Sequence, residues 1–233
     1  MSGAHRSVLE ALKGCILSMG LKQSGSGLRM ATKAPRTLDI ALTAVMTAST
    51  AAVTMVTSIP FPPTKGYFNL GDAVVMLSGL LFGARVGGIA GGIGSALSDA
   101  LLGYPYFAPL TLIIKGTEGF LTGLIGSNRR LSVKVAGVVA GAIAMMSGYF
   151  LVETSIYGFG AAFAELITAN WIQVSVGGAV ALAVTQGVLR AYPKIMVFAP
   201  STRKARSGVI LIVAAAVILV AIVGVYVWMG VSP

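Results

Sequence analysis

The sequence predicts an all-α integral membrane protein, a bundle of six helices followed by one extra C-terminal transmembrane helix. Three observations carry that prediction. Of the 233 residues, 56% are hydrophobic and only 10% are charged, against about 25% charged in an ordinary soluble domain. The mean hydropathy is +0.88. The apolar residues fall into long, nearly uncharged runs, which a bilayer core accepts at about 20 residues each. A soluble enzyme, a disordered tail and a disulfide scaffold are thereby excluded. A β-barrel is disfavoured because these runs do not alternate polar with apolar.

Seven spans are expected, over about 40–59, 69–83, 86–103, 109–126, 133–152, 166–188 and 208–230. The second is short: 15 residues reach only about 22 Å of a roughly 30 Å hydrocarbon layer. Gly83-Ala84-Arg85 marks a tight turn into the third. Between the sixth and seventh lies a basic linker over 191–207, so the six-helix domain runs over 38–190.

The segment 1–37 differs from the rest. It holds a weak apolar stretch, Val8 to Met19, followed by a Gly/Ser run, Ser24 to Gly27. One reading is an interfacial amphipathic helix. The other, which we favour, is a start at Met30 that opens a compact basic lead-in to Arg36.

The net charge of +10 gives an orientation rather than a nucleic-acid partner. Of 17 Lys and Arg, only Lys65 and Lys115 fall outside the segments on one side of this topology. The positive-inside rule makes that side cytoplasmic, with the N-terminus inside and the C-terminus outside. The single Cys15 and single His5 offer no metal or disulfide chemistry, and no cofactor is expected. The chain has no GxxxxGK[ST], HExxH or GxSxG motif. It is read as neither an ATPase nor an enzyme.

The informative residues are polar groups inside spans. Asp72, Asp99, Lys115 and Glu118 are ionisable, and an Asp or Lys at a helix centre costs about 2.5–3.5 kcal/mol. Each needs a partner, water or a ligand. The topology sets all four in the outer half, with Lys115 about 9 Å and Glu118 about 13 Å below Pro109. Asn170 and Gln173 occupy the outer half of span six, and Glu153 and Glu165 flank the outer loop before it. The inner halves are mostly Gly, Ala, Leu, Ile and Val. A polar pocket open to one side follows, not a path through the protein.

Each residue also has a plainer role. Lys115 and Glu118, spaced i, i+3, can form a structural ion pair, and Asn170 and Gln173 can hydrogen-bond between helices. Asp72 can cap span two. The loop 60–69 holds three prolines and Phe61, Tyr67 and Phe68. These aromatics, with Tyr104, Tyr106, Phe107 and Trp171, can lid a pocket or form an interfacial belt. Small residues repeat every four in span one (Ala44, Ala48, Ala52) and span three (Gly83, Gly87, Gly91, Ser95). The second stripe reads as internal packing, the first as a surface for a partner.

Several segments together resemble a known family. They are Gly66-Tyr-Phe-Asn-Leu-Gly-Asp72, Leu80-Leu-Phe-Gly83, Gly91-Gly-Ile-Gly-Ser-Ala-Leu-Ser-Asp99, Gly103-Tyr-Pro105, Ile114-Lys-Gly-Thr-Glu-Gly119, and Asn170 with Gln173. In this order they resemble the substrate-binding (S) components of energy-coupling-factor (ECF) vitamin transporters, in the riboflavin-type branch. The resemblance implies a subunit that captures a vitamin or related small molecule from outside. It implies a coupling transmembrane protein and two ATPases as partners, whose ATP hydrolysis carries the ligand inward. It implies a pocket near the outer face, to which Tyr67, Asn69, Asp72, Asp99, Lys115, Glu118, Asn170 and Gln173 are assigned. Ala44, Ala48 and Ala52 match the family's coupling-protein contact. The seventh span and the N-terminal segment are extra to the family's pattern. The alternative function is a self-sufficient secondary transporter or channel using the intramembrane Asp, Glu and Lys.

Overall fold

A computed structural model describes residues 36–61, 63–64, 66–128 and 130–192 of the chain. The lead-in before residue 36, the linker beyond Tyr192 and the seventh span over 208–230 lie outside the described residues.

Six helices make up the bundle: α1 (Arg36–Val56), α2 (Gly71–Phe82), α3 (Ala84–Leu102), α4 (Ala108–Gly126), α5 (Leu131–Tyr157) and α6 (Phe159–Ala191). Helices α1, α5 and α6 are long and apolar enough to cross a membrane. Helix α2, with 12 residues, reaches only about 18 Å. It lies inside the bundle, with Val75, Met76 and Leu80 fully buried.

Apolar side chains left exposed follow helical spacing. Ile89, Ile93, Leu97 and Leu101 line one face of α3, and Val176, Val180 and Val184 one face of α6. Water would penalise such stripes, whereas lipid accepts them. The protein is a multi-pass membrane protein.

Turn chemistry explains the helix ends. Gly83 has φ 88° and joins α2 to α3 with no intervening loop. Gly103, at φ 92°, closes α3 in the left-handed conformation, which costs glycine nothing. Pro109 occupies the first turn of α4, where its missing N–H is no loss.

Two expectations need correction. Span one was expected to run to 59, but α1 ends at Val56. A short antiparallel hairpin follows, β1 (Ile59–Phe61) paired with β2 (Gly66–Phe68), with Pro60 opposite Tyr67. Thr57 closes its base, accepting from the Leu70 N–H at 2.8 Å and donating to the Val53 carbonyl at 2.7 Å. The expected outer loop over 153–165 is almost entirely helical. Helix α5 runs on to Tyr157, Gly158 alone makes the turn at φ 84°, and α6 begins at Phe159. Glu153 and Glu165 therefore sit on helices, 3% and 4% exposed.

Glycines set the helix spacing at the centre. A Cβ on Gly119 would lie 2.1 Å from the Gly87 carbonyl oxygen, and one on Gly87 2.4 Å from that of Gly119. Only glycine permits so close an approach of α3 and α4. Likewise, a Cβ on Gly91 would lie 2.6 Å from the Lys115 carbonyl oxygen. The span-three stripe is thus internal packing, and it fixes the height of Lys115 against α3.

Candidate functional site

At the hairpin end the helices enclose a cavity of about 520 Å³, counting its open mouth. Tyr67 and Asn69 reach it from the hairpin, Asp99 from α3, Thr111 and Lys115 from α4, Met145, Tyr149 and Glu153 from α5, and Glu165, Asn170 and Gln173 from α6. Tyr104 and Phe107 contribute from the α3–α4 turn.

The eight sequence-predicted residues divide into three groups. Asp72, Lys115 and Glu118 form the first. The Lys115 ammonium pairs with Asp72, and its distance to the Glu118 carboxylate is 3.2 Å. All three are 3% exposed or less. The expected i, i+3 pair is therefore one arm of a triad, with Asp72 the second arm. Asp72 makes no helix-capping bond; Leu70 holds the cap position of α2. Lys115 lines the cavity floor, whereas Asp72 and Glu118 stand behind it. The Lys115 ammonium also lies 5.7 Å from the Tyr149 ring centroid, a favourable cation–π distance.

Asn69 and Gln173 form the second group and serve as connectors. The Gln173 side-chain oxygen accepts from the Asn69 backbone N–H at 2.9 Å and its side-chain amide at 3.3 Å. The Gln173 amide nitrogen donates to Asp72 Oδ2 at 3.0 Å. Asn69 Oδ1 accepts from the Gly71 N–H at 2.8 Å, an Asx turn that starts α2. The loop, α2 and α6 are thus tied beside the triad.

Tyr67, Asp99 and Asn170 make up the third. The Tyr67 hydroxyl donates to Asp99 Oδ1 at 2.5 Å. Burial and the neighbouring Asp99 carboxylate push the Tyr67 phenol well above its ordinary value, so it stays a donor. Asp99 also has the Thr111 hydroxyl as a side-chain neighbour, and among the described residues the buried Asn170 side-chain nitrogen has no hydrogen-bond partner. Asn170 closes a π-helical turn, Leu166–Asn170, inside α6. Such turns frequently accompany functional sites.

Sequence reasoning missed the second acidic pair as a site element. Glu153 and Glu165 line the cavity within hydrogen-bonding reach of each other. Thr64, in the hairpin loop, donates to Glu165 Oε2. The signal available was two glutamates bracketing a mostly apolar stretch, which reads equally well as loop edges. Of the aromatics expected either to lid a pocket or to form a belt, Tyr67, Tyr104 and Phe107 line the cavity. Trp171 and Tyr106, 60% and 56% exposed, face outward instead. Tyr149, not singled out in the sequence, lines the cavity and donates to Thr111 at 3.1 Å.

On α1, Ala44, Ala48 and Ala52 are all exposed and share one outward face. Thr50 and Thr54, on the opposite face, are buried.

The comparisons with known proteins agree with this architecture. The family described as ECF-type riboflavin transporter, S component, matches residues 35–190, the extent of the six helices. An uncharacterised protein from the gap 3′ region of Pyrococcus woesei is 47% identical over 113 residues, 48% of this chain and 76% of that protein. The thiamine precursor transporter HmpT of Lactococcus lactis subsp. cremoris is 32% identical over 139 residues, 59% of this chain and 80% of that protein. With the bundle, the lipid-facing stripes and the family match in agreement, the chain belongs to the S-component family of ECF-type riboflavin transporters, a family of transport proteins and not of enzymes.

Proposed function

We propose that this chain captures a vitamin or vitamin precursor from outside the cell in the cavity beneath the hairpin. Delivery inward then depends on a coupling transmembrane protein and ATPase subunits. The observation that carries the reading is the one-sided cavity. It lies wholly at the hairpin end, while the opposite half is filled by Met76, Leu80, Val138 and Ala181 and by the glycine contacts of α2, α3 and α4. Among the described residues, the cavity opens at the hairpin end, and the opposite half is closely packed. A partner that moves the whole subunit supplies the missing step, and the family's ECF subunits are that kind of partner.

Charge supports the orientation. The described basic residues apart from Lys115 (Arg36, Arg85, Arg130, Lys134 and Arg190) all fall at or near the helix ends away from the hairpin, so the positive-inside rule puts the hairpin outside. The exposed Ala44–Ala48–Ala52 face suits close helix contact with the coupling protein. In this reading Tyr67, Asp99, Lys115 and Asn170 touch ligand. Asn69, Asp72, Glu118 and Gln173 hold them in place.

Uptake assays test the proposal. Cells that express the chain with its coupling and ATPase partners should accumulate the vitamin, and cells that lack the ATPases should only bind it. Gradient-driven uptake by the purified chain alone in liposomes would overturn the proposal in favour of a self-sufficient transporter.

A further inference from the structure

Resting on the capture reading, we infer that Thr111 is a positioning residue for the hairpin: it holds Asp99, and Asp99 in turn holds Tyr67 over the cavity. The Tyr67 hydroxyl, on β2, donates to Asp99 Oδ1 at 2.5 Å. The Thr111 hydroxyl, on α4, lies within side-chain hydrogen-bonding reach of the same carboxyl group. The Tyr149 hydroxyl, on α5, donates to Thr111 Oγ1 at 3.1 Å. A hydroxyl that accepts from Tyr149 keeps its own proton for a further acceptor, and a carboxylate only accepts. The four side chains therefore form one relay, Tyr149 to Thr111 to Asp99, met from the hairpin by Tyr67.

The fold makes the middle of this relay firm and its hairpin end dependent on it. Residues 103–107 join α3 to α4. The Tyr104 N–H donates to the Asp99 carbonyl at 2.8 Å, and the Thr111 N–H to the Phe107 carbonyl at 2.9 Å. These bonds bring the first turn of α4 against the last turn of α3, which sets Thr111 beside Asp99. Both residues are buried, so a hydroxyl or carboxylate that loses its partner there is left unmet at a cost. The hairpin has only three residues in each strand, and a lone two-stranded hairpin is at best marginally stable. Side chains hold its outer part: Tyr67 on Asp99, and Thr64 on Glu165. Among the described residues, the hydrogen-bond partners of the Thr111 side chain are Asp99 and Tyr149, both outside the hairpin. An effect of Thr111 on the hairpin therefore runs through Asp99.

Hydrogen–deuterium exchange of the purified full-length chain, with no vitamin added, tests the relay on the hairpin amides over 59–70. Tyr67→Phe removes the bond to Asp99 and keeps the ring that packs on Tyr104. It should speed exchange there about tenfold, the scale of one charge-assisted hydrogen bond. Thr111→Val removes the hydroxyl at nearly constant shape and should speed it about threefold or more. Thr111→Ser restores the hydroxyl and should bring exchange back to within about twofold of wild type. Added to Tyr67→Phe, Thr111→Val should contribute less than about twofold, because both break the same relay. A threonine that only packs would contribute its full effect there and would not be rescued by serine. If Thr111→Val does not fold, Tyr149→Phe takes its place: it removes the hydroxyl behind Thr111, and should speed hairpin exchange about twofold or more alone but not on top of Tyr67→Phe. A smaller effect in the variant that folds, full additivity with Tyr67→Phe, or no rescue by serine would overturn the inference. Because no ligand is added, such a result strikes the relay alone, and the capture reading stands or falls on uptake.

Discussion

The two ends of the bundle are built on opposite principles. At the hairpin end, ionisable and amide side chains from four helices converge on a cavity, and among the described residues the Asn170 side-chain nitrogen there has no hydrogen-bond partner. At the other end, α2, α3 and α4 touch backbone to backbone through Gly79, Gly87, Gly119 and Gly123. A membrane interior offers no hydrophobic drive for helix association, so close van der Waals packing supplies it. Polar groups there are costly and are retained where they do something. The glycine half is therefore the scaffold and the polar half the working part. The Lys115–Asp72–Glu118 triad sits at their boundary, its height set by Gly91.

The largest effect should come from breaking the scaffold. Gly119→Leu would drive a side chain into the Gly87 carbonyl, already 2.1 Å from where a Cβ would stand. Since α3 and α4 would have to separate, it should abolish recovery of monodisperse protein, read by size-exclusion chromatography. Next comes the boundary. Lys115→Met leaves Asp72 and Glu118 buried without their cation, which should cost about 3–5 kcal/mol. Thermal unfolding in detergent reads this as a lowered Tm. Adding Asp72→Asn and Glu118→Gln to the same chain should recover much of it.

Smaller effects separate binding from transport. Tyr67→Phe removes the 2.5 Å bond to Asp99 and should weaken ligand affinity about tenfold, the scale of one charge-assisted hydrogen bond, with little change in Tm. Ala48→Leu should change stability least, because Ala48 is exposed on the outward face of α1. It should leave affinity within about twofold while reducing uptake with the partners present. Loss of binding in that variant would place the alanine face in the site and erase the division of labour.

Much of the polar half was legible because charge inside an apolar run is conspicuous. Asp72, Asp99, Lys115 and Glu118 stand out for that reason, and Gly83 and Pro109 punctuate the helices around them. The partners were less legible. Lys115 shows its i+3 neighbour in sequence, but its pairing with Asp72 spans 43 positions and exists only through packing. The hairpin was hidden because each strand has three residues and one contains Pro60, a residue that argues against strand. Glu153 and Glu165 looked like loop edges because a one-residue turn at Gly158 leaves no polar run to announce it. The π turn ahead of Trp171 has no sequence signature of its own. Asn170, at the end of that turn, and Gln173, on the helix after it, both line the cavity.

The central claim is that the polar half holds a ligand, and mass spectrometry of the purified full-length chain tests it most directly. The wild type, isolated from cells supplied with vitamins or titrated with a vitamin panel, should carry one vitamin-sized molecule per chain. Asn170→Ala, folded to the same Tm, should lose it. A chain that binds no such molecule, or one whose ligand is retained undiminished by both Asn170→Ala and Asp99→Asn, would contradict the account.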